Sequence, residues 1–552
     1  MLGLMQHWPL LIHRIIDHAA IQHGAREVVS RGVEGAIRRT SYAGIRETAL
    51  KIAKRLAKDG IVLGDRVATL AWNTERHLAL WYGISGIGAI THTVNPRLFP
   101  EQIAQLIGHA EDRILFLDLT FVQLVEGLAD KLPTVERFVI LTDAAHMPQT
   151  SLRNAVCFED WLAGTDADFA WAELDENTAA GLCYTSGTTG GPKGVLYSHR
   201  SNVLHAMACA MPDFMGLSSR TVVMPVVPLF HANSWSLAYS APMTGAKLVL
   251  PGMKLDGASL LELLDGEGVT LTAAVPTVWL GLLQHLEATG ARPASLKRVV
   301  IGGSACPRAM TEAFERTYGI TVDHAWGMTE TSPIGSFCSI KPVYADLAGE
   351  ALYDLKVKQG HPQFTVEFRL TDDAGRELPW DGKTFGRLKV RGPCVAGAYY
   401  RHDAPILDEH GFFDTGDVAT IDPHGYMQVT DRSKDVIKSG GEWISSIELE
   451  NLAIAHPDVA EAAVIGVAHP KWDERPLLIV VPKPGRTPDR DQMLAFLAGK
   501  VAKWWLPDDV VLVDSIPHTA TGKIQKTALR TLFADYRLPE TGAERSTRTG
   551  GS

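Results

Sequence analysis

The sequence predicts a multi-part α/β protein, with a large N-terminal lobe of parallel sheet layers and a smaller α+β module at the C-terminal end. Three observations lead there. The chain has 552 residues, 46% of them hydrophobic, which is more than one core serves, because hydrophobic cores stop growing near ~250–300 residues. From about residue 66 to 330, short and continuously apolar runs alternate with helical stretches, as in strands covered on both faces. After that the patterning changes style twice.

The apolar runs are Val67–Trp72, Ile114–Leu119, Phe138–Leu141, Leu182–Thr185, Lys247–Leu250 and Val299–Ile301. Phe364–Leu370 then alternates with period two, and Gly386–Gly392 follows a turn-rich stretch. These are expected as antiparallel strands with one wet face, a barrel-like subdomain of the large lobe. Near Asp431 a third style begins: a helix at Ser446–His456, strands at Ala462–Val467 and Pro476–Val481, a helix at Gln492–Trp505 and a strand at Val510–Val513. The Gly-, Ser- and Thr-rich end, 539–552, is expected to be disordered.

Composition excludes several classes. A net charge of −10 lacks the basic footprint of a nucleic-acid binder. The six cysteines are scattered without a CxxC pair, which disfavours a metal cluster or disulfide framework and fits a reducing compartment. The first residues lack a signal-peptide pattern. No run reaches the ~18 apolar residues of a membrane span; Leu78–Ile90 comes nearest and is broken by glycines. A cytoplasmic protein is expected.

The most informative segment is Tyr184-Thr-Ser-Gly-Thr-Thr-Gly-Gly-Pro-Lys-Gly194, read as a loop between a strand and a helix. Its glycines let successive N–H groups point into one concavity that holds phosphate oxygens. Thr185, Ser186, Thr188 and Thr189 add hydroxyls, and Lys193 a compact charge. It is not a Walker A loop, which needs Gly-Lys followed by Ser or Thr. A flexible surface loop is the plain alternative.

This segment resembles the phosphate loop of the adenylate-forming (ANL) superfamily, which contains acyl-CoA synthetases, firefly luciferase and peptide-synthetase adenylation domains. Further segments resemble that family's motifs in order along the chain. His324-Ala-Trp-Gly-Met-Thr-Glu330 implies Trp326 as a flat face for adenine, His324 beside its amino group and Glu330 as an oxygen ligand for Mg²⁺. Gly302-Gly-Ser-Ala-Cys-Pro307 resembles the adenine-side loop. Asp414-Thr-Gly-Asp417 presents Asp417 for the ribose hydroxyls. Asp431-Arg-Ser-Lys-Asp435 resembles the inter-domain motif, with Arg432 on ribose or phosphate and Lys434 as hinge. Thr519-Ala-Thr-Gly-Lys523 places Lys523 as the adenylation lysine, although most turn lysines are solvated charges.

The resemblance implies the ANL fold, with an N-terminal AMP- and acyl-binding domain over 1–431, a hinge at 432–434, a mobile C-terminal domain over 435–538 and the tail 539–552. It implies ATP, Mg²⁺ and coenzyme A, with small-molecule partners only and a homodimer by analogy. The catalytic set would be Lys523, Glu330, Thr185 and His231. The nucleotide set would be Thr185, Ser186, Gly187, Thr188, Thr189, Gly190, Lys193, Gly303, Ser304, Ala305, His324, Ala325, Trp326, Gly327, Met328, Thr329, Asp417 and Arg432, with Thr185 and Glu330 at the metal.

Pro228-Leu-Phe-His-Ala-Asn-Ser-Trp235 resembles the acyl-pocket segment, so His231, Trp235, Gly302, Gly303 and Gly327 would border the acid. The aspartate that holds an amino group in peptide-synthetase domains is missing, which disfavours an amino acid. The early end of the chain disfavours an appended carrier domain. Ser439-Gly440-Gly441-Glu442-Trp443 would line the thiol channel. Ala71-Trp-Asn73 and His92-Thr-Val-Asn-Pro-Arg-Leu-Phe99 resemble the branch holding medium-chain fatty-acid–CoA ligases and 3-methylmercaptopropionate–CoA ligases. Methylmercaptopropionate is the preferred expectation, a medium- or short-chain fatty acid the alternative. A non-catalytic nucleotide-binding module is the rival of another class.

Overall fold

The computed structural model describes residues 1, 3–185, 193–439, 442–518 and 524–539. Two large sheets dominate. The first has seven strands, in the spatial order Ala155–Cys157, Arg137–Ile140, Ile114–Leu117, Arg66–Leu70, Ile90–Thr93, Ala179–Tyr184 and Gly194–Ser198. It is parallel up to Ala179–Tyr184 and closes with one antiparallel pair. The second has nine strands. Its parallel centre runs through Glu27–Arg31, Lys247–Leu250, Val222–Pro225, Leu271–Ala274, Arg298–Ile301 and Thr321–Gly327. Burial along these strands is continuous, without alternation, as in sheets covered on both sides.

The helix Glu75–Gly86 is buried at every position but its first, and its residues join both sheets in one apolar cluster. Gly83 sits where a Cβ would lie 2.6 Å from Ile52, so glycine there is a close-packing choice. The apolar run Leu78–Ile90 is thus core. Among the described residues no helix is long and apolar enough to cross a membrane.

The third layer of the large lobe, expected as barrel-like, is a four-stranded antiparallel sheet of Glu367–Thr371, Gly386–Arg391, Phe413–Ile421 and Met427–Arg432. The small lobe is a five-stranded sheet built around the long pair Val459–His469 and Asp473–Pro482. Helices Ser446–Ile454, Arg490–Leu497 and Lys526–Leu532 cover it. One expected helix is shorter than its pattern. Gln492–Trp505 is helical only to Leu497: Ala498 leaves the helix with ψ 131° and the chain turns through Gly499, at φ +79°, a conformation glycine adopts readily. Lys503–Trp505 is a separate single turn. The end beyond residue 539 lies outside the described residues.

Candidate active site

A cleft of about 500 Å³ opens where the second sheet, the antiparallel sheet and the small lobe meet. The ends of the parallel strands feed it, as is usual where ligands bind outside the carboxyl ends of an α/β sheet.

The strand Ala179–Tyr184 delivers Thr185 to the rim, and the Thr185 N–H donates to the Lys193 carbonyl at 2.9 Å. Tyr184 pairs with Gly194 in antiparallel register. The phosphate-type loop therefore closes a β-hairpin. It does not run into a helix as the sequence suggested. Gly-Val-Leu-Tyr-Ser is β-prone and returns along its neighbour, and the helix His199–Ala210 starts only after the Ser198 cap. Ser186, Gly187, Thr188, Thr189 and Gly190 lie outside the described residues. The Lys193 Nζ sits 4.9 Å from the centre of the Tyr399 ring, a cation–π contact.

The strand Thr321–Gly327 carries the next group of residues. His324 is buried, and its Nδ1 lies 2.9 Å from the Val357 carbonyl. A carbonyl only accepts, so the proton sits on Nδ1. Burial lowers the His324 pKa to about 4, which leaves the ring neutral at physiological pH. Trp326 donates its indole N–H to Asp417 Oδ2 at 2.8 Å. The Arg432 Nε lies 2.8 Å from the other oxygen of the same carboxylate, and Asp417 and Arg432 are register partners. Three expected nucleotide-site residues, from segments far apart in sequence, thus form one bonded unit.

Gly327 is required by close approach. A Cβ there would lie 1.9 Å from the Pro333 carbonyl oxygen. Gly327→Ala should destabilise the fold by at least the ~1–3 kcal/mol of ordinary overpacking, read by urea unfolding; an unchanged midpoint would contradict this packing. Glu330 is buried at 6% exposure. Its Oε1 accepts the Tyr399 hydroxyl at 2.6 Å, and burial beside that carboxylate pushes the Tyr399 phenol well above its usual range.

At the other end of the cleft lie His231 and Trp235. Ala232, Asn233, Ser234, Trp235 and Ser236 all have positive φ, between 40° and 68°, a left-handed turn without a glycine. Such backbone costs L-residues free energy, and buried hydrogen bonds hold it: Ser234 Oγ donates to the Val227 carbonyl at 3.0 Å and Asn233 Nδ2 to Asn202 Oδ1 at 3.0 Å. The Trp235 ring lies over Gly302 and Gly303; a Cβ on Gly302 would meet it at 3.1 Å. Ser304 and Ala305 follow beyond the cleft lining.

Lys434, Ser433 and Asp435 line the cleft from the segment between the lobes, and burial lowers the Lys434 pKa. From the small lobe, Ile524, Gln525, Lys526 and Thr527 reach the same cavity. Lys523 lies outside the described residues, as do Gly440 and Gly441. Ser439 is buried elsewhere, its Oγ accepting from Arg475 at 3.2 Å, and is not part of the cleft lining; Glu442 and Trp443 belong to the adjoining strand Glu442–Ile444. Tyr399, Arg387 and Phe413 line the cleft without any motif that marked them in sequence, and Asp414 joins them from the Asp414-Thr-Gly-Asp417 segment.

A family model described as "AMP-binding enzyme" matches residues 16–400, and one described as "AMP-binding enzyme C-terminal domain" matches 448–523. The chain belongs to the AMP-binding enzyme family. It is 51% identical over 536 residues to a 3-methylmercaptopropionyl-CoA ligase of Ruegeria pomeroyi, covering 97% of this chain and 99% of the relative. A medium-chain-fatty-acid–CoA ligase of Ectopseudomonas oleovorans is 47% identical, with 98% of each chain covered. Among solved structures, the anthranilate CoA ligase AuaEII in complex with anthranoyl-AMP superposes with a TM-score of 0.84 at 26% identity, covering 95% of this family member and 98% of that chain. ATP-bound MatB of Rhodopseudomonas palustris gives 0.79 at 26% identity, with 95% and 99% covered. The fold of this AMP-binding enzyme is the adenylate-forming one expected from its motifs.

Proposed function

We propose that this protein is an AMP-forming acid–CoA ligase whose acid is 3-methylmercaptopropionate. The observation that carries the reaction class is the composition of the cleft. Lys193, Trp326, Glu330 and Arg432 of the large lobe and Ile524–Thr527 of the small lobe border one cavity, in a chain that aligns end to end with acid–CoA ligases.

A carboxylate is a poor electrophile, and converting it to an acyl-adenylate supplies AMP as leaving group. In the first step a carboxylate oxygen attacks the α-phosphorus of ATP and pyrophosphate departs. Charge grows on phosphate oxygens, so the protein contributes position and electrostatics. Thr185, Ser186, Thr188 and Thr189, the loop glycines Gly187 and Gly190, and Lys193 hold the phosphates, with Lys523 completing the set. Trp326, with Ala325, Gly327, Met328, Thr329, Gly303, Ser304, Ala305 and His324, frames the adenine. Asp417 and Arg432 take the ribose. His231, Trp235, Gly302, Gly303 and Gly327 border the acid.

Glu330 and Thr185 fit Mg²⁺. Among the described residues no cluster of three or more His, Cys, Asp or Glu makes a dedicated metal cage; Mg²⁺ characteristically takes one or two carboxylates plus substrate phosphates, and Glu330 offers one buried carboxylate at the cleft. When bound, the ion neutralises phosphate charge.

In the second step the coenzyme A thiolate attacks the acyl carbon and AMP leaves. The thiol proton is assigned to His231, which lines the acyl end. The small lobe turns about Lys434 between steps, bringing Ser439, Gly440, Gly441, Glu442 and Trp443 to the thiol path. We infer a cytoplasmic enzyme, and a homodimer by analogy with the family alone.

The Trp235 ring against Gly302 and Gly303 walls the proposed acyl end, which supports the reading of a small acid. Relative kcat/KM for methylmercaptopropionate, butyrate, hexanoate and octanoate tests this. Methylmercaptopropionate should lead butyrate by a modest margin, since one methylene is worth ~1–3 kcal/mol. A steep rise to octanoate would make the medium-chain reading correct. Release of ADP in place of AMP would remove the reaction class itself.

A further inference from the structure

We propose that Asp431 and Lys526 form a latch across the hinge, which makes Lys526 a positioning residue for acyl-adenylate formation. The proposal rests on the two-step reading above. Asp431 ends the large lobe's strand Met427–Arg432 one residue short and is 1% exposed. Its Oδ2 accepts the Ser446 backbone N–H at 2.8 Å and the Ser446 hydroxyl, and Oδ1 accepts the Arg432 N–H at 2.8 Å. Beside it, the Ser445 hydroxyl donates to the Thr430 carbonyl.

Lys526 opens the helix Lys526–Leu532. Its Nζ donates to the Ser446 Oγ and lies 2.8 Å from Glu450 Oε1. The hydrogen bonds run in one direction: Lys526 donates to Ser446, whose single hydroxyl proton goes to Asp431. The same helix is tied a second time, through Arg530 Nη1 to Asp435 Oδ1 at 2.5 Å.

These contacts fall into two kinds. Lys526–Glu450, Lys526–Ser446 and Arg530–Asp435 lie inside the small lobe and move with it. Asp431–Ser446 and Thr430–Ser445 join residues on opposite sides of Lys434, so a turn of the small lobe about Lys434 separates them. Charge makes the arrangement reversible. Closed, it buries two carboxylates with one ammonium, and burial raises both the Asp431 and Glu450 carboxyls. Open, Asp431 returns to water and leaves Lys526 and Glu450 as a balanced pair. A buried charge held by one partner group is costly to orphan, so loss of Lys526 acts against the closed orientation, in which Ile524–Thr527 line the cleft.

The test measures the half-reactions separately in the full-length enzyme. One assay is acid-dependent exchange of pyrophosphate into ATP; the other is thioester formation from preformed acyl-adenylate and coenzyme A. Lys526→Met should slow the exchange by about tenfold or more and leave the thioester step unchanged or faster, with Lys526→Arg recovering part of the exchange. Asp431→Asn, nearly isosteric, should act in the same direction. Tryptic cleavage after Arg432 or Lys434 should be faster than wild type in both. Equal loss of both half-reactions in Asp431→Asn, or unaltered exchange and cleavage, would overturn the latch. A wild-type enzyme with no acid-dependent exchange would instead remove the two-step reading on which the latch depends.

Discussion

Lys523→Ala lowers acyl-adenylate formation by about 10²–10³-fold and leaves thioester formation from preformed adenylate nearly intact. The magnitude is that of removing one preorganised charge from a site where phosphate charge develops. The asymmetry follows from where the lysine sits in the chain. Its neighbours Ile524–Thr527 border the cleft in the orientation seen here, and the second step, as proposed, turns that edge away. Single-turnover measurement of each half-reaction checks it. Equal loss in both would show that the lysine serves the fold or the thiol site, and the division of labour between the two steps would be lost.

Asp417→Ala is the second large effect. Asp417 is 2% exposed and takes the Trp326 indole N–H and the Arg432 guanidinium together. Without it, ATP loses a ribose acceptor worth ~1.5–3 kcal/mol per hydrogen bond to a charged group. That corresponds to about a 10–100-fold fall in kcat/KM for ATP, expressed mainly in KM. Trp326 also loses its only fixed polar anchor, so adenine binding weakens as well. Arg432 is 39% exposed in its side chain, and water takes up much of its loss. Asp417→Asn keeps one carbonyl acceptor and should fall between. An ATP KM unchanged in both variants would place the ribose elsewhere.

The contrast between Trp326 and Lys526 shows what sequence made legible. Trp326 stands in a short motif whose residue types announce nucleotide chemistry, and the structure puts it at the cleft. Its bond to Asp417 spans 91 positions, and no spacing rule reaches that far. Lys526 stands three residues after Lys523 and carried no sequence signal of its own. Its burial at 8% exposure depends on Glu450 and Ser446 meeting it in space. Tyr399 was silent for the same reason: one aromatic in a strand-rich stretch says nothing of the carboxylate it caps. Six strands of the two large sheets were legible to within a few residues as continuous apolar runs, whereas Glu27–Arg31, Ile90–Thr93, Val222–Pro225 and Leu271–Ala274 mix polar or small residues, or a proline, into four or five positions and were not read. The strand Gly194–Ser198 was misread as the approach to a helix. Five residues are too few to display a period, and the helix signal at Ser198 lies directly behind them.

The backward-wound segment at 232–236 bears on how acid preference changes within such a scaffold. Each L-residue in that conformation gives up ~1–2 kcal/mol relative to its ordinary winding, so the turn stands only as long as its buried hydrogen bonds through Ser234 and Asn233 offset that cost. A few exchanges at its buried supports, such as Asn202 or Ser234, could shift how far an acid reaches without disturbing the nucleotide end, which is held by a separate set of bonds. If Trp235 borders the acid as proposed, substrate range on this scaffold would depend on the stiffness of this one short loop as well as on the volume in front of it.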